Sequence, residues 1–340
     1  MEIPGEKLVI KLWETLADKG IGSLLRPWQI RREGRATADV RREEMLALAQ
    51  AEIDAAAIRS GKKTLLTNGE LVERLALPAP TARVMAVDTV TALSLPYIVE
   101  VADQNAKADS IREEVSIAKA VLYAEEELQA DPAQPSDEKL QDDWLLRWRE
   151  CAAGVSSDEL QQIWGKVLAG ELKSPGQFSL RALEFLRNLS QSEAQRIERI
   201  SPFVLAGFIY RGDAPMLEAE GITFSDLLAM QELGVLAGVD GLGLEITWNS
   251  DILNSFQKAL TSHGAVLWVT SPVPNKSIKL SVCTVTAIGK QVLGLGKFSP
   301  NEKMLASAAR AIKAQGFEVM LGAYVSIGRN QIQAFNLHPV

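Results

Sequence analysis

The stretch WGKVLAGELKSPGQFSLRALEFLRNLSQSEAQRIERI, Trp164 to Ile200, decides how the middle of this chain is read. A helical run ends at Ser174-Pro175-Gly176, because Pro175 offers no amide donor and pushes Ser174 out of helical geometry. A new run starts behind Ser179, whose hydroxyl suits an N-cap, and it carries Leu183, Leu186 and Leu189 on one face. Ser190 with Glu193 has the spacing of a capping box for a third helix. Upstream, Ser156 with Glu159 has the same spacing. Leu160, Ile163, Trp164, Val167, Leu168 and Leu172 then recur at the helical period. The stretch predicts three short capped helices packed on each other.

Towards the N-terminus, Leu8, Val9, Leu12, Trp13 and Leu16 fall on one helical face, with Lys7, Lys11, Glu14 and Asp18 on the other. Leu24, Leu25, Pro27 and Trp28 follow, among the basic residues Arg26, Arg31, Arg32, Arg35, Arg41 and Arg42. From Gln29 to Ser60 the composition favours one long helix with a seam at Leu46, Ala49, Ile53 and Ala56. Asp109 to Gln129 is a second, with a seam at Ile117, Val121, Ala124 and Leu128. Two such helices suggest an antiparallel pair or an oligomerising coiled coil. The acidic, proline-containing segment from Ala130 to Asp143 reads as the main domain boundary.

Past Ile200, Thr223 and Asp226 can cap a helix closed by Gly234. Ala265–Thr270 and Ser277–Thr286 are β-rich runs that read as a hairpin across SPVPNK, with a helix from Ala287 to Leu295 behind them. Helices leading into a two-stranded wing outline a winged-helix domain. The end of the chain offers a helix at Glu302–Ala314 and strands at Phe317–Val325 and Gln331–Asn336. The expected fold is mainly α, with long N-terminal helices, a central helical domain and a C-terminal winged-helix-like α+β region. The expected divisions are an arm over 1–60, a helical hairpin or coiled coil over 61–135, a compact helical domain over 136–200, a winged-helix-like domain over 201–297 and a small α+β tail over 298–340.

Composition narrows the function. At 340 residues, 47% hydrophobic, with a formal net charge of -7, the chain suits a cytoplasmic protein and opposes broad electrostatic binding to nucleic acid. No apolar run approaches the roughly 20 residues that span a bilayer. Cys151 and Cys283 form neither a disulfide framework nor a zinc cluster. His263 and His338 lack partners at ligand or catalytic spacing. Ser60-Gly-Lys-Lys-Thr64 resembles a phosphate loop only in part, and Gly238 to Gly243 lacks the dinucleotide fingerprint. Glu125-Glu126-Glu127 and Asp142-Asp143 read as solvated charge runs. No catalytic residue, metal, cofactor or small-molecule substrate is indicated, and the expectation is a protein that is not an enzyme.

Two binding roles are left. Trp13 and Trp28 with Arg26, Arg31, Arg32 and Arg35 have the parts of a contact with a protein partner or an anionic membrane surface. Packing of the same apolar face against the helical body is the plainer reading. Lys276, Lys279 and Lys290 are candidate nucleic-acid contacts of a winged helix, the less expected partner class. The segment from Ser157 to Ile200, with Gly20 to Arg32 as an opening signature, resembles the bacterial domain of unknown function 2806 family. Trp164–Gly170, Pro175 and Leu186–Ser190 are similar in pattern to the abortive-infection alpha proteins of phage defence. Together these imply a non-catalytic bacterial interaction protein of phage defence or stress response. It would self-associate through its helical arm in the cytoplasm or at the periphery of the inner membrane. A winged-helix DNA-binding regulator is the alternative.

Overall fold

A computed structural model describes residues 5–21, 37–73, 95–129, 131, 133–240, 244–328 and 331–340. The chain divides into two compact units between Leu183 and Glu184. The acidic segment after residue 130 is therefore a connection inside the first unit.

The first unit is built around one long helix. Its described helices are α1 (Glu6–Asp18), α2 (Thr37–Arg59), α3 (Leu95–Gln129), α4 (Asp142–Ala153), α5 (Asp158–Lys173) and the start of α6 (Leu180–Asn188). Strands β1 (Lys63–Leu65) and β2 (Leu71–Glu73) form a small antiparallel hairpin between α2 and α3. Val115, Ile117, Ala118, Ala120, Val121, Leu122, Ala124 and Leu128 of α3 are all buried. A helix apolar on every side belongs inside a bundle, and α1, α2, α4 and α5 all pack on this one.

Side-chain pairs give the directions. Arg41 reaches Glu126 at 2.5 Å, Glu52 reaches Lys119 at 2.7 Å, and Arg59 pairs with Asp109, so α2 runs antiparallel to α3. Asp158 meets Lys119 at 3.4 Å and Lys173 meets Asp131 at 2.9 Å, so α5 runs parallel to it. Gly165 allows this approach. A β-carbon there would lie 2.6 Å from Tyr123 Cβ and 2.9 Å from both the Ala120 carbonyl oxygen and the Ala124 nitrogen.

Trp144, Trp148 and Trp164 fill the space beside α3, and two of their indoles find backbone acceptors. Trp144 donates to the Phe178 carbonyl at 2.7 Å and Trp148 to the Trp164 carbonyl at 2.9 Å. The Ser174–Gly176 turn forms as expected, with Gly176 at φ 84°. Glu171 holds it, accepting from the amides of Gly176 (2.6 Å) and Phe178 (2.8 Å).

Two sequence expectations about these helices need correction. The cap of α5 is Ser157, whose hydroxyl accepts from Leu160 N, and not Ser156 one residue earlier. On α2 the inward residues are Leu48, Ala55 and Ile58, while Leu46 and Ile53 of the expected seam are each 61% exposed. An alanine-rich helix carries apolar spacing on more than one face. The face chosen here also sets Glu52 against the buried Lys119.

The second unit holds two antiparallel sheets with helices α7 (Gln191–Ile200), α8 (Ala214–Ala219), α9 (Phe224–Glu232), α10 (Ala287–Leu293) and α11 (Glu302–Lys313). Strand β9 (Ile278–Val285) is central in one sheet. It pairs with β4 (Phe208–Tyr210) on one edge and with β5 (Leu236–Ala237) and β6 (Leu244–Trp248) on the other. Strand β3 (Val204–Leu205) completes that sheet beside β4. The second sheet runs β11 (Gln331–Pro339), β10 (Glu318–Gly328), β8 (Ala265–Ser271), β7 (Phe256–Ser262). The caps read at Ser190, Thr223 and Gly234 all form.

The expected hairpin between Ala265–Thr270 and Ser277–Thr286 does not form. Those runs are β8 and β9, which lie in different sheets. Both edges of β8 are taken by β7 and β10, and SPVPNK is a crossover between sheets. The tight turns lie elsewhere, at Ala206-Gly207 (φ 50° and 82°) and His263-Gly264 (φ 43° and 87°). The chain as a whole is mixed α+β with helix in excess of strand.

Candidate functional site

Where α2 crosses α3, a cleft of about 320 Å³ opens, lined by Glu52, Ala55, Ala56, Arg59, Ala108, Arg112, Ser116 and Ser156. Small side chains line it, and Ala55 and Ala108 are buried there. Its charged lining residues belong to two ion-pair sets. In one, the buried Lys119 bridges Glu52 of the lining at 2.7 Å and Asp158 at 3.4 Å. Burial works against the Lys119 ammonium, but the hydrogen bond and charge of Glu52, with Asp158, carry its pKa above the usual value.

In the other, Asp109 Oδ1 faces the guanidiniums of Arg59 and Arg112. Arg59 pairs with it directly, while Arg112 stands 3.8 Å away, beyond hydrogen-bond reach. Arg112 Nε is closed off from solvent and has no hydrogen-bond partner. Ser116 donates its hydroxyl hydrogen to the Val155 carbonyl at 2.7 Å. Among the described residues no group of three or more His, Cys, Asp or Glu side chains could hold a metal ion.

A second feature lies further along α3. Arg59 at the end of α2 meets Asp109, so the turns from Leu95 onward run past the end of α2. The β1–β2 hairpin packs beside them, with Leu65 bonded through both its backbone groups to the Gln104 amide. Leu95, Tyr97, Ile98 and Val99 are nonetheless exposed, Leu95 at 72%, as are Leu66 and Val72 of the hairpin.

The residues singled out in the sequence are placed otherwise. Trp13 is only 9% exposed and donates to Glu125 Oε1 at 3.2 Å, so it is an interior side chain and not a surface contact. Leu8, Leu12 and Leu16 are buried with it, because α1 lays its apolar face on α3 and α5. Trp28, Arg26, Arg31, Arg32 and Arg35 lie outside the described residues. Lys276 donates to the Gly316 carbonyl at 2.5 Å and covers the Phe317 ring at 4.2 Å. Lys279 faces Glu245 at 3.7 Å, and Lys290 is exposed beside Gly207. The three lysines do not converge on one described cluster.

Neither the cleft nor the apolar end of α3 was reached from the sequence. Arg59 and Arg112 are 53 positions apart and ordinary in composition. The signal that was available is the apolar-rich stretch Leu93 to Val101, interrupted by Ser94 and Glu100 and too long for a turn. Both cysteines are buried, and burial raises the Cys283 thiol to about 11, so it is inert as a nucleophile. No helix among the described residues is long and apolar enough to cross a membrane.

Comparison with known proteins gives one match. Residues 102–207 fit the family described as Protein of unknown function (DUF2806). The Gly20–Arg32 stretch lies outside that match, and the pattern similarity to abortive-infection alpha proteins gains no support from it. No curated protein and no solved structure matches the chain. Residues 102–207, from the middle of α3 to the Ala206-Gly207 turn, are thus similar to the DUF2806 family.

Proposed function

We propose that this chain is a non-catalytic interaction protein that self-associates through the helical arm of α2 and α3. The observation that carries the reading is the exposed apolar end of the arm: Leu95, Tyr97, Ile98 and Val99 on α3, with Leu66 and Val72 exposed on the hairpin that bonds to α3 at Gln104. These side chains point around the helix in several directions. A helix that is apolar on all sides is stable in water only when something covers it. The exposed Leu46 and Ile53 on the outward face of α2 extend the surface that a partner could use. A second copy of the chain is the simplest cover, since it presents the same surface. The place of such an assembly in phage defence or stress response rests on pattern similarity alone.

Sedimentation of the full chain across a concentration series tests the reading. The wild-type protein is expected to associate, and Tyr97→Asp with Ile98→Asp is expected to leave monomers of unchanged helix content. A wild-type chain that stays monomeric at every concentration overturns it. The DNA-binding alternative draws little from Lys276 and Lys279, whose charges are engaged within the second unit.

A further inference from the structure

We infer that the outer edge of β11 is a docking site for an extended, uncharged segment of another protein, which adds to the second sheet as a further strand. The starting point is the direction of the backbone groups. Tyr324 N donates to the Gly264 carbonyl at 3.0 Å, so Tyr324 turns its N–H and C=O towards the β8 side. Ala334 lies opposite Tyr324, and Ile332 lies opposite Ser326 two residues on. By the alternation of an antiparallel ladder, Ile332 and Ala334 turn their N–H and C=O away from β10. Among the described residues no strand or loop backbone pairs with β11 on that side.

The opposite edge of the same sheet is closed. There β7 has its outward groups taken: Asp251 N donates to the Gln257 carbonyl at 2.8 Å, Gln257 N to Ser250 Oγ at 3.0 Å and Ala206 N to the Thr261 carbonyl at 2.7 Å. Lys258 adds a charge to that strand. Sheets blunt free edges with charge, proline or cover. From Gln331 to Leu337, β11 has no Lys, Arg, Asp, Glu or Pro. Only the irregularity at Asn336, with φ 54°, interrupts it, which leaves the ladder open from Gln331 to Phe335.

The occupant follows from these residues. Outward N–H and C=O groups at strand spacing are complementary to another extended backbone. Phe335 and Val325 share one face of the hairpin and are 42% and 47% exposed, so a strand added here rests alternate apolar side chains on them. A second copy of the chain fits less well. A two-fold pair centred on the open ladder sets Gln333 against its own copy and Phe335 against Gln331, and each strand brings its own bend at Asn336. A separate peptide without that bend can set an apolar side chain against Phe335.

The edge lies in the second unit and does not depend on self-association through the helical arm, so the full-length Tyr97→Asp, Ile98→Asp protein serves as bait and the two readings fail separately. The probe is a phage-displayed library of random dodecapeptides. Enriched peptides are expected to share an uncharged stretch with apolar residues at alternate positions. Their affinity is then measured by fluorescence anisotropy with synthetic peptide. Ile332→Pro removes an outward N–H at an edge, where proline is tolerated, and is expected to weaken binding about tenfold or more. Phe335→Lys, an exposed change that leaves the backbone alone, is expected to weaken it as well, and circular dichroism shows whether each variant folds. Methylating the peptide's own amide nitrogens is expected to abolish binding at alternate positions and to be harmless between them. Failure to enrich any peptide overturns the assignment. So does wild-type affinity in a folded Ile332→Pro or Phe335→Lys protein, or binding that ignores amide methylation. Bait that associates with itself and is released by Ile332→Pro makes a second copy the occupant and overturns the choice of another protein.

Discussion

Replacing Gly165 by alanine sets two opposing effects against each other at the α3–α5 crossing. In an isolated helix the change is favourable by about 1 kcal/mol, because glycine is the weaker helix former. Here the new β-carbon falls 2.6 Å from Tyr123 Cβ and 2.9 Å from the Ala120 oxygen and the Ala124 nitrogen. Two of those atoms are backbone in the middle of α3 and cannot rotate aside. The helices must separate by roughly 1 Å at the crossing, which forfeits up to half of each displaced contact's dispersion energy. Overpacking of this kind costs about 1–3 kcal/mol, so Gly165→Ala is expected to lose about 1 kcal/mol net, and Gly165→Leu distinctly more. Urea unfolding followed by tryptophan fluorescence reads mainly the first unit, which buries Trp13, Trp144, Trp148 and Trp164, against Trp248 and Trp268 in the second. Gly154→Ala is the control: its β-carbon would meet nothing nearer than 3.6 Å, so it is expected to be neutral or mildly stabilising. A Gly165→Ala protein as stable as the control would refute the close-packed crossing.

Four further outcomes follow from particular contacts. Ala206→Gly should raise the thermal midpoint: it removes left-handed strain of about 1–2 kcal/mol and returns about half of that as glycine's added chain entropy. Lys119→Met should destabilise the first unit by about 1–3 kcal/mol, below the full cost for a buried pair because Asp158 can turn to water. Since Lys119 is raised above 10.5, its contribution is complete below that pH and is lost as pH rises through the folded value. The gap between wild type and Lys119→Met in urea titrations should therefore close in strong alkali. Burial pushes Glu171 above 4.5 despite the amides of Phe178 and Gly176, so its stabilising contribution is complete below 4.5 and fades as pH rises through the folded value. Glu171→Gln should flatten the stability–pH curve in that window. Trp13→Ala should cost about 3–5 kcal/mol in unfolding and leave co-sedimentation with anionic vesicles unchanged, because the indole is interior.

Punctuation was legible residue by residue. The caps at Ser190 and Thr223, the Ser174–Gly176 turn and the Gly234 stop rest on interactions within a few residues of the chain, which local sequence states directly. The burial of α1 was legible as an amphipathic face, but whether a membrane or the helical body covers that face is a long-range question. Contact with α3 and α5 settled it for Trp13. The same limit explains α2, where the sequence pointed to the seam at Leu46 and Ile53 and the structure buries Leu48, Ala55 and Ile58 instead, with Glu52 meeting Lys119. Strands β8 and β9 show it most plainly. Each run read correctly as a strand, yet pairing belongs to edges, and which edges are free depends on β4, β5, β6, β7 and β10. Local sequence by itself determined several caps, stops and turns, though the long helix α3 starts at Leu95, ahead of the expected Asp109. Only tertiary structure decided the partners of each element, and with them the cleft where Arg59 and Arg112, 53 positions apart, face one carboxylate oxygen.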